Sequence, residues 1–293
     1  MEEPGANESS AVFLPGGSRI PAELFGGAMS GKELANPRTH KDWLPPHSLA
    51  WYAQLGKMTG QYRLPWNLTI SGPNAEAIFE EEVSSMVRNK IVLDIGCGHG
   101  EFTVRWGPVV KQIVGIDITD DFIEAGKAKG FANVSFVAAD SKQRLPFDDN
   151  AFDCAYNRKG PTSAYVDVRR IVKQGGRIMG LHPGDRLSPE LPQLFPDLFE
   201  PLREGTPVLD KLKANLEKGG LLDQASIEIV KSASYLHEPL DIVKICCFGQ
   251  RPSIYEMVVD TWMPEIEESF ERHATEEGLA VTGETYLVRI RME

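Results

Sequence analysis

Along most of the chain the apolar residues fall into two kinds of run. Short continuous ones, "KIVLDIG" (90–96), "QIVGIDI" (112–118), "VSFVAAD" (134–140), "FDCAYNR" (152–158) and "GRIMGLHP" (176–183), read as strands. Between them lie stretches with helical spacing: 74–88, with Ile78, Phe79, Val83, Met86 and Val87 on one side, a short piece at 101–106, then 120–130 and 163–176, each stopped by glycine. Apolar strands alternating with amphipathic helices specify a parallel sheet buried on both faces. After Pro183 a polar, Pro-broken insertion (184–222) carries a helix at 207–218. A strand comes next at 226–236, then helical stretches at 238–249 and about 264–277, and an alternating strand at 284–292. The expected fold class is α/β, a doubly wound, mostly parallel seven-stranded sheet with an antiparallel last strand near the edge and an N-terminal helical, aromatic cap.

Ahead of this pattern, residues 1–40 are rich in Gly, Pro, Ser and Ala and read as a flexible arm. Residues 41–73 crowd Trp43, Trp51, Tyr52, Tyr62 and Trp66 together. Ser48 is placed to cap a helix running to about Met58, and Pro65 keeps that helix from resuming. Two readings stand side by side. The segment packs on the surface of the main domain (74–293), or it caps a substrate pocket with Trp51, Tyr52 and Trp66 as amphipathic walls.

Composition narrows the partners more than the fold. Of 293 residues, 25% are charged and the net charge is −11, which argues against a nucleic-acid substrate because such affinity rests on Lys and Arg neutralising phosphates. Cys97, Cys154, Cys246 and Cys247 form no C-x-x-C pair and no zinc-like cluster, so no metal is expected and a reducing, cytoplasmic setting is. The first residues lack a signal-peptide pattern and no apolar run approaches a membrane span, so no membrane partner is expected.

The chemistry concentrates at strand ends, where ligands sit in open α/β sheets. The first strand ends in Asp94 and a Gly96-Cys97-Gly98-His99-Gly100 turn. This is G-x-G-x-G rather than the G-x-G-x-x-G of a dinucleotide site, and Asp94 and Glu101 bracket it with negative charge. A diphosphate would be repelled there. Asp117 ends the second strand about 20 residues on, the place for an acid that grips a ribose. Asp140-Ser141 and Tyr156-Asn157-Arg158 end the third and fourth. A ligand with an amine, a ribose and an adenine but no phosphates fits these acids, and S-adenosyl-L-methionine is such a ligand.

With "VLDIGCGHGEF", the acid at Asp117 and "AADSKQRLPFDDNAFD" in this order, the chain resembles the class I S-adenosylmethionine-dependent methyltransferases, strongly over about 74–185. The resemblance implies that Asp94, Gly96 and Gly98 line the methionine moiety, with Cys97 in the same turn. It implies that Asp117 binds the ribose, that Ile118 packs on the adenine, that Asp140, beside Ser141, accepts from the adenine amine, and that Asn157 lies near the sulfonium. Asp94 turned to solvent and Asp140 as a local cap are the alternatives. His99 is read as shaping the turn.

For the acceptor the residues leave more open. A hydroxyl acceptor needs a base, and His182 is the best placed candidate, with a hydrogen-bonded structural histidine as its alternative. Arg158 and Lys159 suggest a carboxylate or phosphate on the substrate, or else are solvated or hold an acid in the cap. A small-molecule methyltransferase is the expectation; an RNA or protein methyltransferase and a non-catalytic S-adenosylmethionine-binding module are the alternatives.

Overall fold

The computed structural model describes residues 34–293, so the greater part of the arm expected at 1–40 lies outside the described residues. Helix α1 (Leu49–Thr59) and strand β1 (Leu68–Ser71) come first, then α2 (Ala75–Met86), β2 (Ile91–Ile95), α3 (Glu101–Arg105), β3 (Gln112–Asp117), α4 (Asp120–Lys127) and β4 (Val134–Ala138). The chain continues through β5 (Phe152–Arg158), α5 (Tyr165–Ile171), β6 (Val172–Pro183), α6 (Glu190–Leu194), α7 (Pro207–Lys218), β7 (Ala225–Leu236), α8 (Pro239–Cys246), α9 (Pro252–His273) and β8 (Leu279–Arg291). The strands form one sheet in the order β1-β7-β8-β6-β5-β2-β3-β4. Strands β6-β5-β2-β3-β4 are parallel, and β8 enters antiparallel between β6 and β7.

The chain winds outward from β2 to β4 and then returns to place β5 on the other side of β2. That reversal puts a crevice at the carboxyl ends of β2 and β5. The side-chain alternation of the strands builds two cores. Leu93, Ile95, Ala155 and Ile178 face α5 and α7, while Val92, Cys154, Tyr156, Met179 and Leu181 face α2 and α3. Asn74 caps α2 by accepting from the Ala77 N–H (3.2 Å), and Ser48 caps α1 by accepting from the Trp51 N–H (3.2 Å).

Three details differ from the sequence reading. The sheet has an eighth strand, β1, paired antiparallel with residues 233–236; it is four residues long and all four are exposed, so its short alternation does not stand out. The fifth helix stops at Ile171, because Val172 already turns extended and pairs with Phe152, and Gly175 (φ +75°) takes the chain through an irregularity. The helix expected at 264–277 is α9, which begins at Pro252 and holds Pro264 inside it. Its buried stripe of Ile254, Val258, Trp262, Ile266 and Phe270 runs through the proline, and that burial outweighs the lost backbone bond.

Candidate functional site

The turn after β2 is shaped by what crosses it. Gly96 (φ +71°) leaves room for the exit of β5: a Cβ there would stand 2.7 Å from the Gly160 Cα and 3.0 Å from the Pro161 Cδ. At Gly100 (φ +73°), which opens α3, a Cβ would lie 2.4 Å from the Phe136 ring of β4. The Gly96 and Cys97 N–H groups both donate to the Ile116 carbonyl (2.8 and 2.9 Å). The Gly98 N–H donates to Asp117 Oδ2 (2.9 Å), and the Thr119 N–H to Asp117 Oδ1 (2.9 Å). Asp117 is thereby fixed against the turn, and burial pushes its carboxyl pKa up. Ile118 beside it is an exposed aliphatic side chain, 41% accessible.

Asp94 is not turned to solvent. Its carboxylate lies 2% exposed on the α2/α3 face, where Oδ2 accepts from the Thr103 hydroxyl (2.6 Å) and the Tyr156 hydroxyl (2.8 Å). Burial pushes its pKa up to about 6, against the lowering effect of those two hydrogen bonds. On the opposite face of β5, Asn157 is fully buried. It donates through Nδ2 to the Pro161 carbonyl (3.0 Å), and its Oδ1 has no hydrogen-bond partner among the described residues. A buried amide oxygen without a partner carries a desolvation cost that a ligand donor would relieve. Asp140 Oδ1 accepts from the Lys142 N–H (2.9 Å) as an Asx turn, and the Ser141 hydroxyl bonds that of Ser163 (2.6 Å).

The aromatic segment reaches this turn from the N-terminal side. Gly56 lets α1 approach the start of α4, with its ideal Cβ position 3.1 Å from Thr119 Cγ2 and Asp121 Cβ. Trp51 is 1% exposed, donates through Nε1 to the Phe248 carbonyl (3.0 Å), and lies edge-on to the rings of Tyr52, Tyr62 and Phe248. Trp66 packs edge-on against Phe248 (5.5 Å). Burial, then the nearby Tyr62 and then the Asp117 carboxylate raise the Tyr52 pKa well above the ordinary phenol range, while burial takes Tyr62 up to about 12. Both stay protonated donors. The Tyr62 N–H donates to His99 Nδ1 (3.2 Å), and Arg63 Nη2 bonds both oxygens of Glu101 (3.0 Å each).

Three candidate residues fall outside this assembly. Arg158 and Lys159 are not free to clamp an anion: Arg158 Nε bonds Glu76 Oε2 (2.9 Å), Lys159 pairs with the other Glu76 oxygen, and the guanidinium stacks over Phe102 (4.9 Å). Strand alternation is the reason. It aims Asn157 to one face of the sheet and Arg158 to the other, where α2 supplies the acid. His182 shares the buried face with Ile178. It is 2% exposed, bonds the Tyr165 hydroxyl through Nε2 (2.8 Å), and burial takes its pKa down to about 4. It is a neutral core histidine, not a base at the cleft.

The sequence reading took Tyr156 only as a strand-end residue and not as a partner of Asp94, and it missed Thr103 and the 247–250 turn. Tyr156 was accessible to it, since counting by twos along β5 puts it on the face of Cys154 and Arg158. Nothing local marks Phe248 or Gln250, whose amide both accepts from the Leu44 N–H and donates to the Leu44 carbonyl.

Residues 92–176 match the family model described as a methyltransferase domain. Over 113 residues the chain is 33% identical to the uncharacterised methyltransferase YcgJ of Bacillus subtilis, covering 35% of this chain and 43% of that protein. Over 117 residues it is 36% identical to the ubiquinone/menaquinone biosynthesis C-methyltransferase UbiE of Teredinibacter turnerae, covering 35% and 47%. The chain thus spans about half the length of these curated relatives. A crystal structure of a functionally unknown protein from Deinococcus radiodurans superimposes with a TM-score of 0.55 at 20% identity, covering 83% of this chain and 99% of that one, which shows the shared fold. Residues 92–176 thus form an S-adenosylmethionine-binding methyltransferase domain, similar in sequence to YcgJ and UbiE over about half of their length. Among the described residues no helix is long and apolar enough to cross a membrane.

Proposed function

We propose that the chain binds S-adenosyl-L-methionine at the Gly96–Gly100 turn and transfers its methyl group to a small molecule held under the 43–66 segment. The observation that carries this reading is the glycine-rich turn at the strand-order reversal, closed on one side by Asp117 and on the other by the unpartnered Asn157 Oδ1. These residues fit the cofactor. Asp117 keeps lone pairs for the ribose hydroxyls beside its two backbone bonds, exposed Ile118 offers a surface for the adenine, and Asp140 and Ser141 flank that end. Asp94, buried beneath the turn, supplies negative charge for the amino-acid end.

The bound cofactor supplies a methyl group on a sulfonium, open to in-line attack. What this chain adds is placement: holding an acceptor in line with a fixed donor converts a bimolecular encounter into an effectively unimolecular step. The phenol groups of Tyr52 and Tyr62 stay protonated and serve as hydrogen-bond donors rather than bases. The half-buried rings of Tyr52, Tyr62 and Trp66 favour a planar or apolar acceptor. The UbiE relative is named for C-methylation in quinone biosynthesis, and the net charge of −11 weighs against nucleic acid.

Calorimetry with S-adenosylmethionine and S-adenosylhomocysteine tests the reading. Asp117→Ala should weaken both by about 1.5–3 kcal/mol, the cost of losing hydrogen bonds to a charged group. Unchanged affinity removes Asp117 from the site. Methyl-labelled cofactor incubated with quinols, phenols and amines then tests the acceptor class, and transfer to amines alone contradicts the planar-ring preference.

A further inference from the structure

The aromatic segment and the glycine turn are joined at one histidine. His99 is buried, with 7% of its surface exposed, in the middle of the turn. Its Nδ1 receives the Tyr62 N–H (3.2 Å), so in the neutral ring the proton sits on Nε2, which donates to Glu101 Oε2 (3.1 Å). Glu101 is in turn bonded by Arg63, one residue beyond Tyr62. The segment is therefore stapled to the turn twice, once through a ring nitrogen that must keep its lone pair and once through an ion pair on the surface.

We infer that His99 is a positioning residue that acts as a proton-sensitive latch, holding Tyr62 over the cofactor turn while the imidazole is neutral and releasing it when the imidazole is protonated. Protonation places a hydrogen on Nδ1, and that nitrogen then faces the Tyr62 N–H as donor against donor. The charged groups around the ring come from three sides. Glu101 on α3 favours the imidazolium, whereas Lys129 beyond α4 and Arg63 on the aromatic segment oppose it. Burial outweighs these and lowers the pKa of the latched ring below its ordinary value. The latch is accordingly fully formed above the pKa of an unlatched histidine and is lost as pH falls through the lower pKa of the latched one. Tyr62 Cβ lies beside Gly98, 3.7 Å from where a Cβ on that glycine would stand, so release uncovers the turn itself.

The consequence for cofactor affinity rests on the proposed function; the latch does not. The experiment therefore reads the latch directly, as hydrogen exchange of the Tyr62 amide in the full chain between pH 7.5 and 5.5, corrected for intrinsic rates. Wild type should lose protection about 3- to 10-fold on acidification, the worth of one such bond. His99→Asn keeps an acceptor near the Nδ1 position that does not titrate in this range, so protection should stay flat with pH. His99→Ala should be poorly protected throughout. Wild-type protection that does not change with pH, or wild-type protection in His99→Ala, overturns the latch. S-adenosylhomocysteine affinity, measured on the same three proteins at pH 7.5, where Asp94 is charged in all of them, should follow the order of protection, with His99→Asn like wild type and His99→Ala weaker. A chain whose Tyr62 amide responds to pH as described but binds no S-adenosylhomocysteine keeps the latch and overturns the proposed cofactor site.

Discussion

At 96–100 the chain gives up every second side chain; at 43–66 it uses its largest. The glycine turn is held by backbone bonds to Ile116 and by the Asp117 carboxylate, and at Gly96, Gly98 and Gly100 it takes positive φ values that only glycine adopts without strain. The aromatic segment is held by ring edges, by the Trp51 indole on the Phe248 carbonyl, and by Gln250 bridging both backbone groups of Leu44. A turn built on backbone geometry has one shape. A layer built on interlocking rings keeps its place only while its socket, the 247–250 turn, keeps its own. Under the proposed function, the contrast assigns cofactor geometry to the sheet and acceptor selection to the aromatic layer.

The largest expected effect breaks the aromatic side. Trp51→Ala removes a fully buried indole and should cost about 3–5 kcal/mol in urea unfolding. If the aromatic segment is a separable layer, the variant should show an early transition reported by the remaining tryptophans, and then unfolding of the sheet near the wild-type midpoint. A single cooperative transition shifted by the whole amount would make the segment part of the same folding unit and remove the contrast.

The next breaks the other side. Gly96→Ala puts a methyl group 2.7 Å from the Gly160 backbone at a positive φ. Overpacking and left-handed strain together should cost about 2–4 kcal/mol. Here the sheet and the cofactor affinity should suffer together, because Gly160 lies just past the strand that carries Asn157. Calorimetry showing normal affinity in a destabilised protein would mean that the β5 exit yields and the turn does not.

The same contrast explains what was legible in the sequence. Glycines at two-residue spacing after an apolar strand, and an acid about 20 residues on, are local signals, because the geometry that demands them is local. The socket of Trp51 lies 197 residues away, and Glu76 stands 82 residues before the arginine it neutralises. No spacing rule spans such distances. His182 stayed open between two readings for a related reason. Its place at the end of an inner strand was legible, but the Tyr165 hydroxyl that engages it comes from α5, and only packing reveals it. Strand β1 was silent because its alternation, Leu68-Thr69-Ile70-Ser71, is only four residues long and buries neither apolar side chain.

The smallest expected effect sharpens the comparison, because Asp94 belongs to the turn yet is held by side chains. Its carboxyl is raised to about 6 in the folded protein from an ordinary 3.8. A raised carboxylate pKa contributes stability that is fully present below about 3.8 and is lost as pH rises through about 6, since the charge then has to be borne in a buried site. Asp94→Asn keeps an oxygen to accept from Thr103 or Tyr156 and never bears that charge. Relative to wild type it should therefore gain stability as pH rises from 5 to 8, by about 1.4 kcal/mol, because about one pKa unit of the shift falls within that window. Thermal melts of both proteins across that range measure the difference. S-adenosylmethionine affinity should fall at the same time, because the proposed partner of its ammonium has lost its charge. A variant that is stabilised at pH 8 and binds normally would leave Asp94 as a buried structural acid, and the negative charge beneath the turn would have no part in holding the ligand.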